Sequence, residues 1–387
     1  MGSKILKSLF LVNILASIYF IYFLFKNEIL PQSYRLILII ILLLNIIISI
    51  FLCLKINSKS RFKVLLGIIF FILCAFNIFV PYTLNKSLSS LNAIQDDNNS
   101  NLKNSNLDSS DKLEKNPGSK INNNEGFLLY FSGIDSYGQI DNISRTDADI
   151  LMAIRPKDKK ILMVSIPRDT YVPIAGKGNN QKDKLTHSGI YGINSTVQTI
   201  NNLFGVNIDY YVRVNFTSVE KIVDLLGGID VENDHNFKVR DKVFEKGTIH
   251  LNGKETLAFA RERHSFKDGD IQRGKNQQKV LKALIKKGSK PSVIFNMNEY
   301  LQIFEEYVRT DMPKEDILKL VNMEISNPGS WNIENISLKG QGKMGLKSYA
   351  MPGSNLYMYL PDEGSIREIS DKLKIFIIDA DTTSGNM

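Results

Sequence analysis

Three long, uncharged apolar runs at the start of the chain are the strongest constraint on how it can fold. They cover residues 8–25, 36–54 and 64–85. Each has roughly the 20 residues that a helix needs to cross about 30 Å of hydrocarbon. A single run of this kind could be a buried core helix or a cleaved leader. However, no small-residue cleavage site follows the first run, and two more runs come after it. The pattern therefore predicts three transmembrane helices and a multi-pass protein of the cell membrane.

The basic residues around these runs predict the orientation of the chain. Lys4 and Lys7 precede the first run, and the first loop contains only Lys26, Glu28 and Arg35. The short second loop is strongly basic and contains Lys55, Lys59, Arg61 and Lys63. Because cytoplasmic loops carry an excess of Lys and Arg, we expect the N-terminus and the second loop to be cytoplasmic. An odd number of spans then places everything after the third span outside the cytoplasm.

The composition changes twice after the third span. Residues 86–125 are rich in Asn, Ser, Asp and Lys, and such a stretch buries too little apolar surface to offset its ordering entropy. This predicts a flexible tether with a reach of about 35 Å. Residues 126–380 have the composition of a folded domain, large enough for a substantial core. Both cysteines, Cys53 and Cys74, lie within the spans, so the domain contains no disulfide.

The net charge of +8 does not indicate a nucleic-acid-binding surface. Most of the positive excess falls before residue 126, around the membrane spans, and the later part of the chain is nearly balanced. A nucleic-acid-binding domain would instead concentrate basic residues on its own surface. Nucleic acid is therefore not an expected partner.

The domain alternates predicted strands with predicted helices. Runs 127–134, 148–154 and 160–167 are apolar, rich in β-branched residues and bounded by turn residues, which is typical of buried strands. Helical spacing follows over 188–206, 218–228, 251–263 and 277–287, with further strands over 209–216, 229–233, 334–342 and 356–360. Further helices are expected over 297–309, 314–325 and 365–376. This order predicts an α/β layered fold, with Asp270 as the N-cap of the helix containing 277–287.

Five arginines stand at the ends of these elements rather than within their faces. Only 12 of the 48 basic residues are Arg, and the five are Arg145, Arg168, Arg261, Arg263 and Arg273. A guanidinium group offers a rigid fork of donors that matches phosphate oxygens, whereas lysine offers a point charge. Any one of them could instead form a surface salt bridge. Together they predict a phosphate-binding site at the end of a sheet.

Carboxylates stand beside the same strand ends. Asp135 follows the first strand and Asp147 opens the second, so the two could share one Mg²⁺ ion, with Mn²⁺ as a substitute. The alternative is that each is a turn or capping residue. Lys184, in the polar loop 176–187, either adds charge to the site or belongs to a solvated loop. The histidines lack metal-ligand spacing, and no nucleotide phosphate-loop motif or nucleophile elbow occurs.

Eight linked motifs over residues 127–285 resemble the LytR–CpsA–Psr family in order and spacing. They are GID, SRTDAD, SIPRDTYVPI, DKLTHSGIYG, IDYYVRVNF, DLLGGIDV, LNGKETLAFARER and GDIQRGKNQQ. The three preceding spans and the RGKNQQ stretch look most like the CpsA-type capsule branch. The resemblance implies an extracytoplasmic α/β/α domain with a central mixed sheet. It also implies attachment of lipid-linked anionic glycopolymers to the peptidoglycan of Gram-positive walls, the polymer being capsule, teichoic acid or a related polysaccharide.

The resemblance also implies roles for individual residues. The diphosphate-binding arginines of the family correspond to Arg145, Arg168, Arg261, Arg263 and Arg273, with Gln277 as a neighbouring contact. We add Lys184 to the expected diphosphate-binding residues because of its charge. Its magnesium ligands correspond to Asp135 and Asp147. Asp270 corresponds to the acidic residue expected to act as the base or to orient the attacking hydroxyl, with Arg145 and Arg263 beside the reacting phosphate. This chain has Asn276 where many members have a further Arg, and it has no folded domain between membrane and catalytic core.

The implied reaction is transfer of a phosphoryl-linked glycan from polyprenyl diphosphate to peptidoglycan. The expected partners are the polyprenyl-diphosphate-linked polysaccharide, peptidoglycan, membrane lipid and membrane proteins of polymer synthesis. Of three alternatives to this reaction, one, a transcriptional regulator, conflicts with the predicted extracytoplasmic location of the domain. The other two stay open at this point. A polyprenyl-diphosphate phosphatase would use the same site with water as acceptor. A non-enzymatic wall-binding or regulatory membrane protein would need no turnover at all.

Overall fold

The computed structural model describes residues 3–27, 30–55, 61–94, 121, 125–138, 140, 144–176, 179–290, 293 and 303–378. The chain divides into two compact units. One comprises residues 1–90 with 318–327, and the other comprises 91–317 with 328–387. The candidate site lies entirely in the second unit.

Three long helices begin the chain, as the apolar runs predict. They are α1 (Ser3–Lys26), α2 (Gln32–Lys55) and α3 (Arg61–Ile94). Each contains a segment long and apolar enough to cross a membrane, namely Ile5–Lys26, Gln32–Leu54 and Leu65–Lys86. Helix α3 continues to Ile94, so the first residues of the predicted tether are helical. Most of the remaining tether lies outside the described residues.

A network of polar side chains joins the three long helices. The Asn13 amide donates to Asn45 Oδ1 (3.2 Å) and Ser49 Oγ (3.1 Å) on α2. From α3, the Asn77 amide donates to Asn13 Oδ1 (3.2 Å) and Ser17 Oγ (2.8 Å). All of these residues except Asn45 are fully or almost fully buried. Because lipid offers no hydrogen-bond partners, these bonds favour one register of the helices.

Replacing Asn13 with Leu should weaken the association of the three helices. The change removes its hydrogen bonds to both neighbouring helices, and we expect a loss of about 2 kcal/mol. The SDS mole fraction at which fluorophores on different helices separate would then fall. Asn27→Leu is the control, because the Asn27 amide bonds the Phe23 carbonyl of its own helix. Equal midpoints for the two variants would contradict the prediction.

The second unit is built on a six-stranded mixed sheet in the order β11-β6-β1-β2-β3-β12. Its strands are β1 (Phe127–Ile134), β2 (Thr146–Arg155), β3 (Lys160–Ile166), β6 (Tyr210–Asn215), β11 (Val308–Thr310) and β12 (Asn332–Ser337). Strand β1 pairs parallel with β6 and antiparallel with β2, and β3 pairs antiparallel with β2 and parallel with β12. The carboxyl ends of β1, β3, β6 and β12 therefore meet the amino end of β2 at one edge.

Helices cover both faces of this sheet, so the α/β/α prediction is confirmed. They are α4 (Leu185–Ser188), α5 (Ile193–Phe204), α6 (Phe216–Leu225), α7 (Gly253–Arg261), α8 (Gly269–Gly288) and α10 (Glu363–Ile377). The helix between α8 and α10 in the chain, α9 (Lys314–Ser326), falls mostly in the first unit. Leu128 and Tyr130 of β1 belong to a buried cluster that includes Phe204 of α5 and Leu373 of α10. Helix α8 packs on the opposite face, where the Gln278 amide donates to carbonyls of β3 and β12.

Short hairpins account for most differences from the predicted elements. They pair β4 (Tyr171–Pro173) with β5 (Lys182–Lys184), β7 (Ile229–Asn233) with β10 (Gly247–Leu251), β8 (Phe237–Val239) with β9 (Lys242–Phe244), and β13 (Gly340–Leu346) with β14 (Leu356–Pro361). The predicted strand 334–342 is two strands, β12 and the start of β13. Strands β4, β5, β8 and β9 have three residues each, which is too short to produce a recognisable alternation.

Two predicted helices also begin or end elsewhere. The helix predicted over 188–206 begins at Ile193, because Gly192 has φ +99° and cannot continue a helix. Within the predicted helix 297–309, residues 303–307 are helical and the chain then enters β11. The first part of that segment lies outside the described residues.

Candidate active site

The strand ends place several predicted site residues at the same edge of the sheet. Asp135 follows β1, Arg145 and Asp147 lie at the start of β2, and Arg168 follows β3. Ile134 is the register partner of Thr146, so the chain leaves β1 beside the point where it enters β2. Residues far apart in the chain therefore share one crevice, outside the carboxyl ends of the parallel strands, where ligands commonly bind.

Helices α7 and α8 bring the remaining arginines to this edge. Two close backbone approaches make this packing possible. A Cβ at Gly253, the first residue of α7, would lie 2.3 Å from the Glu220 carbonyl oxygen of α6, and a Cβ at Gly274 in α8 would lie 2.5 Å from Ser165 Oγ. Gly274 therefore lets α8 lie directly on the end of β3. The preceding residue, Arg273, is consequently held close to the loop that carries Arg168.

Asp270 connects two of the arginines. Its Oδ1 lies 3.0 Å from Arg273 Nη2 and 3.7 Å from Arg263 Nη1. The predicted capping role is wrong, because Asp268 is the N-cap residue of α8 and Asp270 is the second residue of the helix. From that position its side chain reaches Arg273, three residues later and on the same helical face. Asp270 therefore positions the two arginines instead of capping the start of the helix.

Asp147 holds Arg168 from the other side of the crevice. Arg168 Nη1 donates to Asp147 Oδ1 at 2.6 Å, and the Gln277 amide of α8 donates to the Asp147 carbonyl at 3.3 Å. Nearby, Lys184 Nζ donates to Asp169 Oδ1 at 2.7 Å. The Lys184 side chain is therefore half-buried beside Asp169 and is not part of a solvated loop.

Arg261 and Arg145 occupy more exposed positions at the rim. The Arg261 guanidinium stacks 4.0 Å from the centre of the Phe216 ring and lies 3.9 Å from Asp135 Oδ1. Arg145 Nη2 lies 4.0 Å from Met351 Sδ, a weak contact that leaves most of its donors facing solvent. Stacking on an aromatic ring orients a guanidinium without using its hydrogen-bond donors. Both arginines can therefore donate to a ligand.

The positively charged side chains of the crevice outnumber its carboxylates. Five arginines and Lys184 face Asp135, Asp147, Asp169 and Asp270. Burial opposes the charge on Asp270, but Arg273 and Arg168 outweigh that effect and lower its pKa. Burial and the neighbouring Arg168 charge also lower the pKa of Arg273, which is 8% exposed. An anion entering the crevice would relieve this crowding of cations.

The two predicted metal ligands fit Mg²⁺ only as a partial donor set. Asp135 and Asp147 flank the same register position, and each contacts an arginine through one oxygen. Across the described ranges, no three His, Cys, Asp or Glu side chains converge on one point. Mg²⁺ is commonly held by one or two carboxylates together with substrate phosphates and water. The pair fits that arrangement.

Asn276, which stands where a further Arg is expected, makes its hydrogen bonds to α7 and within α8. It is buried, accepts from the Gln272 amide (3.1 Å) and donates to the Phe259 carbonyl (3.3 Å). Its amide therefore ties α8 to α7, the two helices that carry Arg273 and Arg261. In this chain the position therefore contributes to the packing of the helices that carry the site.

Asp149 is a site-supporting residue that the sequence analysis missed. It is buried below the crevice in β2, accepts from the Tyr130 hydroxyl, and accepts from Thr146 Oγ1 at 3.1 Å. Burial is the main reason that its pKa is raised to about 6, although both hydroxyl donors act in the opposite direction. The alternation in TDAD hints at its inward orientation, but only the sheet pairing shows how deeply it is buried.

The free energy of unfolding should fall as the pH rises from about 4 to 7 because of Asp149. Its folded pKa exceeds its unfolded value, so the folded state binds the proton more tightly, and that contribution disappears as Asp149 ionises. The expected loss is roughly 3 kcal/mol. Urea titrations can follow it through Trp331, the single tryptophan, which lies beside β12.

Asp149→Asn should remove this part of the pH dependence, because the amide does not ionise. Asp371→Asn, an exposed change on α10, should keep the wild-type slope. If the slope were unchanged in Asp149→Asn, Asp149 would not be its source.

Comparison with known proteins identifies relatives of this chain. A sequence model of the LytR-CpsA-Psr family matches residues 81–375. The polyisoprenyl-teichoic acid–peptidoglycan teichoic acid transferase TagU of Bacillus licheniformis is 34% identical over 258 residues, covering 66% of this chain and 79% of the relative. TagU of Bacillus subtilis strain 168 is 34% identical over 274 residues, covering 69% and 83%.

Solved structures agree with these sequence matches. The crystal structure of B. subtilis TagV superposes with a TM-score of 0.56 at 31% identity, covering 66% of this chain and 98% of TagV. TagT bound to LI-WTA superposes with a TM-score of 0.52 at 26% identity, covering 67% and 94%. The motifs, the fold and the family match agree: this chain belongs to the LytR-CpsA-Psr family.

Proposed function

We propose that this protein transfers an anionic glycopolymer from a polyprenyl-diphosphate carrier to peptidoglycan on the outer side of the membrane. The observation that carries the proposal is the meeting of Arg168, Arg263 and Arg273 around Asp147 and Asp270 at one edge of the sheet. Paired arginine forks suit the two linked phosphates of such a donor. The transferase names of the TagU relatives point to teichoic acid as the polymer. Capsular polysaccharide stays a prediction.

The reaction would make one phosphodiester bond and break one phosphoanhydride bond. A peptidoglycan hydroxyl attacks the phosphorus nearest the sugar, and polyprenyl phosphate leaves with the bridging oxygen and the electrons of the broken bond. Arg168, Arg263 and Arg273 would neutralise the negative charge that develops on the leaving phosphate. No nucleotide is needed, because the diphosphate bond supplies the free energy.

Asp270 would receive the proton of the attacking hydroxyl through a direct hydrogen bond. Its Oδ1 is buried, and no donor among the described residues points along a hydrogen bond to it, although Arg273 forms an ion pair there. Its lowered pKa keeps it ionised at neutral pH, so it can accept. The same low pKa makes it a weak base, so positioning the hydroxyl is the larger part of its proposed role.

Asp135 and Asp147 would hold a Mg²⁺ ion against the phosphates. When bound, the ion would supply positive charge that polarises the phosphoryl oxygens. Support for this part comes from the donor chemistry of the two carboxylates at the same strand ends.

A product assay tests the proposal directly. The full chain in detergent would be incubated with polyprenyl-diphosphate-linked glycan and peptidoglycan oligomers, and products would be analysed by mass spectrometry. Transfer gives a glycan joined to the oligomer through one phosphate. A phosphatase would give free glycan phosphate whether or not the oligomer is present, and that outcome would replace the proposed function.

The proposed sidedness needs a separate experiment. We expect protease added to intact protoplasts to cleave the chain after the third span while sparing the basic second loop. The support is the charge asymmetry of the two loops. Protection of the second unit from protease would place the site on the cytoplasmic side, away from peptidoglycan.

A further inference from the structure

The hairpin formed by β13 and β14 exposes side chains that the proposed reaction has not used. Tyr349, Met351 and Tyr357 are 39%, 36% and 41% exposed, and all three belong to residues 340–361. We call these three residues the hairpin platform. Large apolar side chains grouped at the surface commonly mark a binding surface.

The hairpin is bonded to the loop that carries the phosphate-binding residues. The Tyr359 N–H donates to the Asp169 carbonyl at 2.8 Å, and Tyr359 also forms an isolated parallel bridge with Thr170. The Tyr171 hydroxyl donates to the Lys347 carbonyl at 3.1 Å. The hairpin is therefore attached to the chain immediately after Arg168.

A buried carboxylate fixes the part of the hairpin that carries Tyr349 and Met351. Asp183 accepts from Ser348 Oγ at 2.9 Å and from the Ala350 N–H at 2.7 Å, and it also pairs with His187 Nδ1 at 2.9 Å. The next residue, Lys184, reaches Asp169 in the crevice. The Asp183 side chain thus fixes the loop that carries Tyr349 and Met351, while the next residue, Lys184, contacts Asp169. The platform is therefore organised before a ligand arrives.

The platform reaches the crevice itself. Met351 Sδ lies 4.0 Å from Arg145 Nη2. Tyr357 stands two residues before Tyr359, which is hydrogen-bonded to Asp169, and burial followed by the charges of Asp169 and Asp270 raises the pKa of Tyr357. The Tyr357 ring lies against Gly342, where a Cβ would be 2.5 Å from a ring carbon. Gly342 therefore lets the Tyr357 ring lie directly on the backbone of the neighbouring strand β13.

We propose that Tyr349, Met351 and Tyr357 form a subsite for the first sugar of the donor, the pyranose bonded to the diphosphate. The inference rests on the proposed function, because it assigns the neighbour of the bound diphosphate. The electron-rich face of an aromatic ring packs well against the electropositive C–H groups on one face of a pyranose. The donor sugar is the occupant because it is joined to the phosphate that Arg145 and its neighbours bind, so it must lie within one bond of that site.

Binding of two lipids to the full chain in detergent micelles tests the subsite. The probes are polyprenyl diphosphate and the same lipid carrying one N-acetylhexosamine. Wild-type protein should bind the sugar-bearing lipid more tightly, and Tyr357→Ala should reduce that preference by about three- to tenfold while leaving affinity for the sugarless lipid unchanged. Tyr349→Ala should act in the same direction. Tyr357→Phe should retain the preference, because it keeps the ring.

Ile375→Ala is the matched control, since it also removes an exposed apolar side chain but lies on α10. The unfolding midpoint of each variant, followed by Trp331 fluorescence, verifies that it is folded. The subsite is overturned if Tyr357→Ala weakens both lipids equally or neither. It is also overturned if the variant loses affinity only for a peptidoglycan disaccharide-peptide, which would assign the platform to the acceptor. If wild-type protein binds neither lipid, the proposed function itself fails.

Discussion

Arg273→Lys should lower kcat/KM for glycan transfer by about 100-fold or more, although the positive charge is kept. Arg273 is the most enclosed arginine of the crevice, and it both pairs with Asp270 and lies beside Arg168. Lysine would offer one compact ammonium where the donor phosphates need a planar fork, and loss of one preorganised donor to a developing charge costs about that much. Initial rates at several donor concentrations measure the effect.

The control for this prediction is Arg155→Lys at the opposite end of the sheet. Arg155 ends β2 and pairs with Asp158 in the following turn. The same substitution there replaces a guanidinium group with an ammonium group at a position outside the crevice. Transfer should therefore stay close to the wild-type rate. Wild-type turnover in Arg273→Lys would mean that positive charge alone is sufficient, and the fork argument would fail.

Asp147→Asn should also reduce transfer by more than about 100-fold. The change removes a proposed metal ligand and the carboxylate that holds Arg168 at 2.6 Å, so two supports of the donor phosphates are weakened together. Removing divalent cations with EDTA should abolish wild-type transfer, and Mg²⁺ should restore it. The variant should need much more Mg²⁺ for half-maximal rate.

Binding of Mn²⁺, followed by electron paramagnetic resonance, separates the two effects of Asp147. We expect Asp147→Asn to bind Mn²⁺ more weakly in the presence of the donor lipid. Asp230→Asn is the control, because Asp230 forms an exposed pair with His250. Unchanged Mn²⁺ affinity in Asp147→Asn would leave only the contact with Arg168 and would remove Asp147 from the metal site.

Asp270 illustrates how the structure changes the meaning of a residue that the sequence identifies. A capping aspartate would interact mainly with its own helix, and its pKa would say little about a ligand. In the structure it sits one turn before Arg273 and shares its Oδ1 with Arg263. Its proposed role therefore depends on a pairing between α8 and the segment after α7, which local sequence cannot reveal.

Local sequence was sufficient to predict features that lie within a single helix or strand. The three membrane spans, the buried strands β1 to β3 and the chemical type of the crevice residues follow from runs of apolar side chains and from arginine at element ends. These signals depend on neighbours within a few residues of each other, so they can be read without knowing the fold. The eight motifs added the family and the α/β/α architecture.

Tertiary structure decided every feature that joins distant parts of the chain. The pairing of Arg168 with Asp147, the burial that raises the pKa of Asp149 and the attachment of the Tyr357 hairpin to the loop after β3 all depend on which strands become neighbours. The network of Asn13, Asn45 and Asn77 likewise requires three helices to meet at one level. Sequence determined which groups are available, whereas topology determined which of them lie within hydrogen-bonding distance. The reason is that charge pairing and desolvation act through space, and separation along the chain does not specify distance in space.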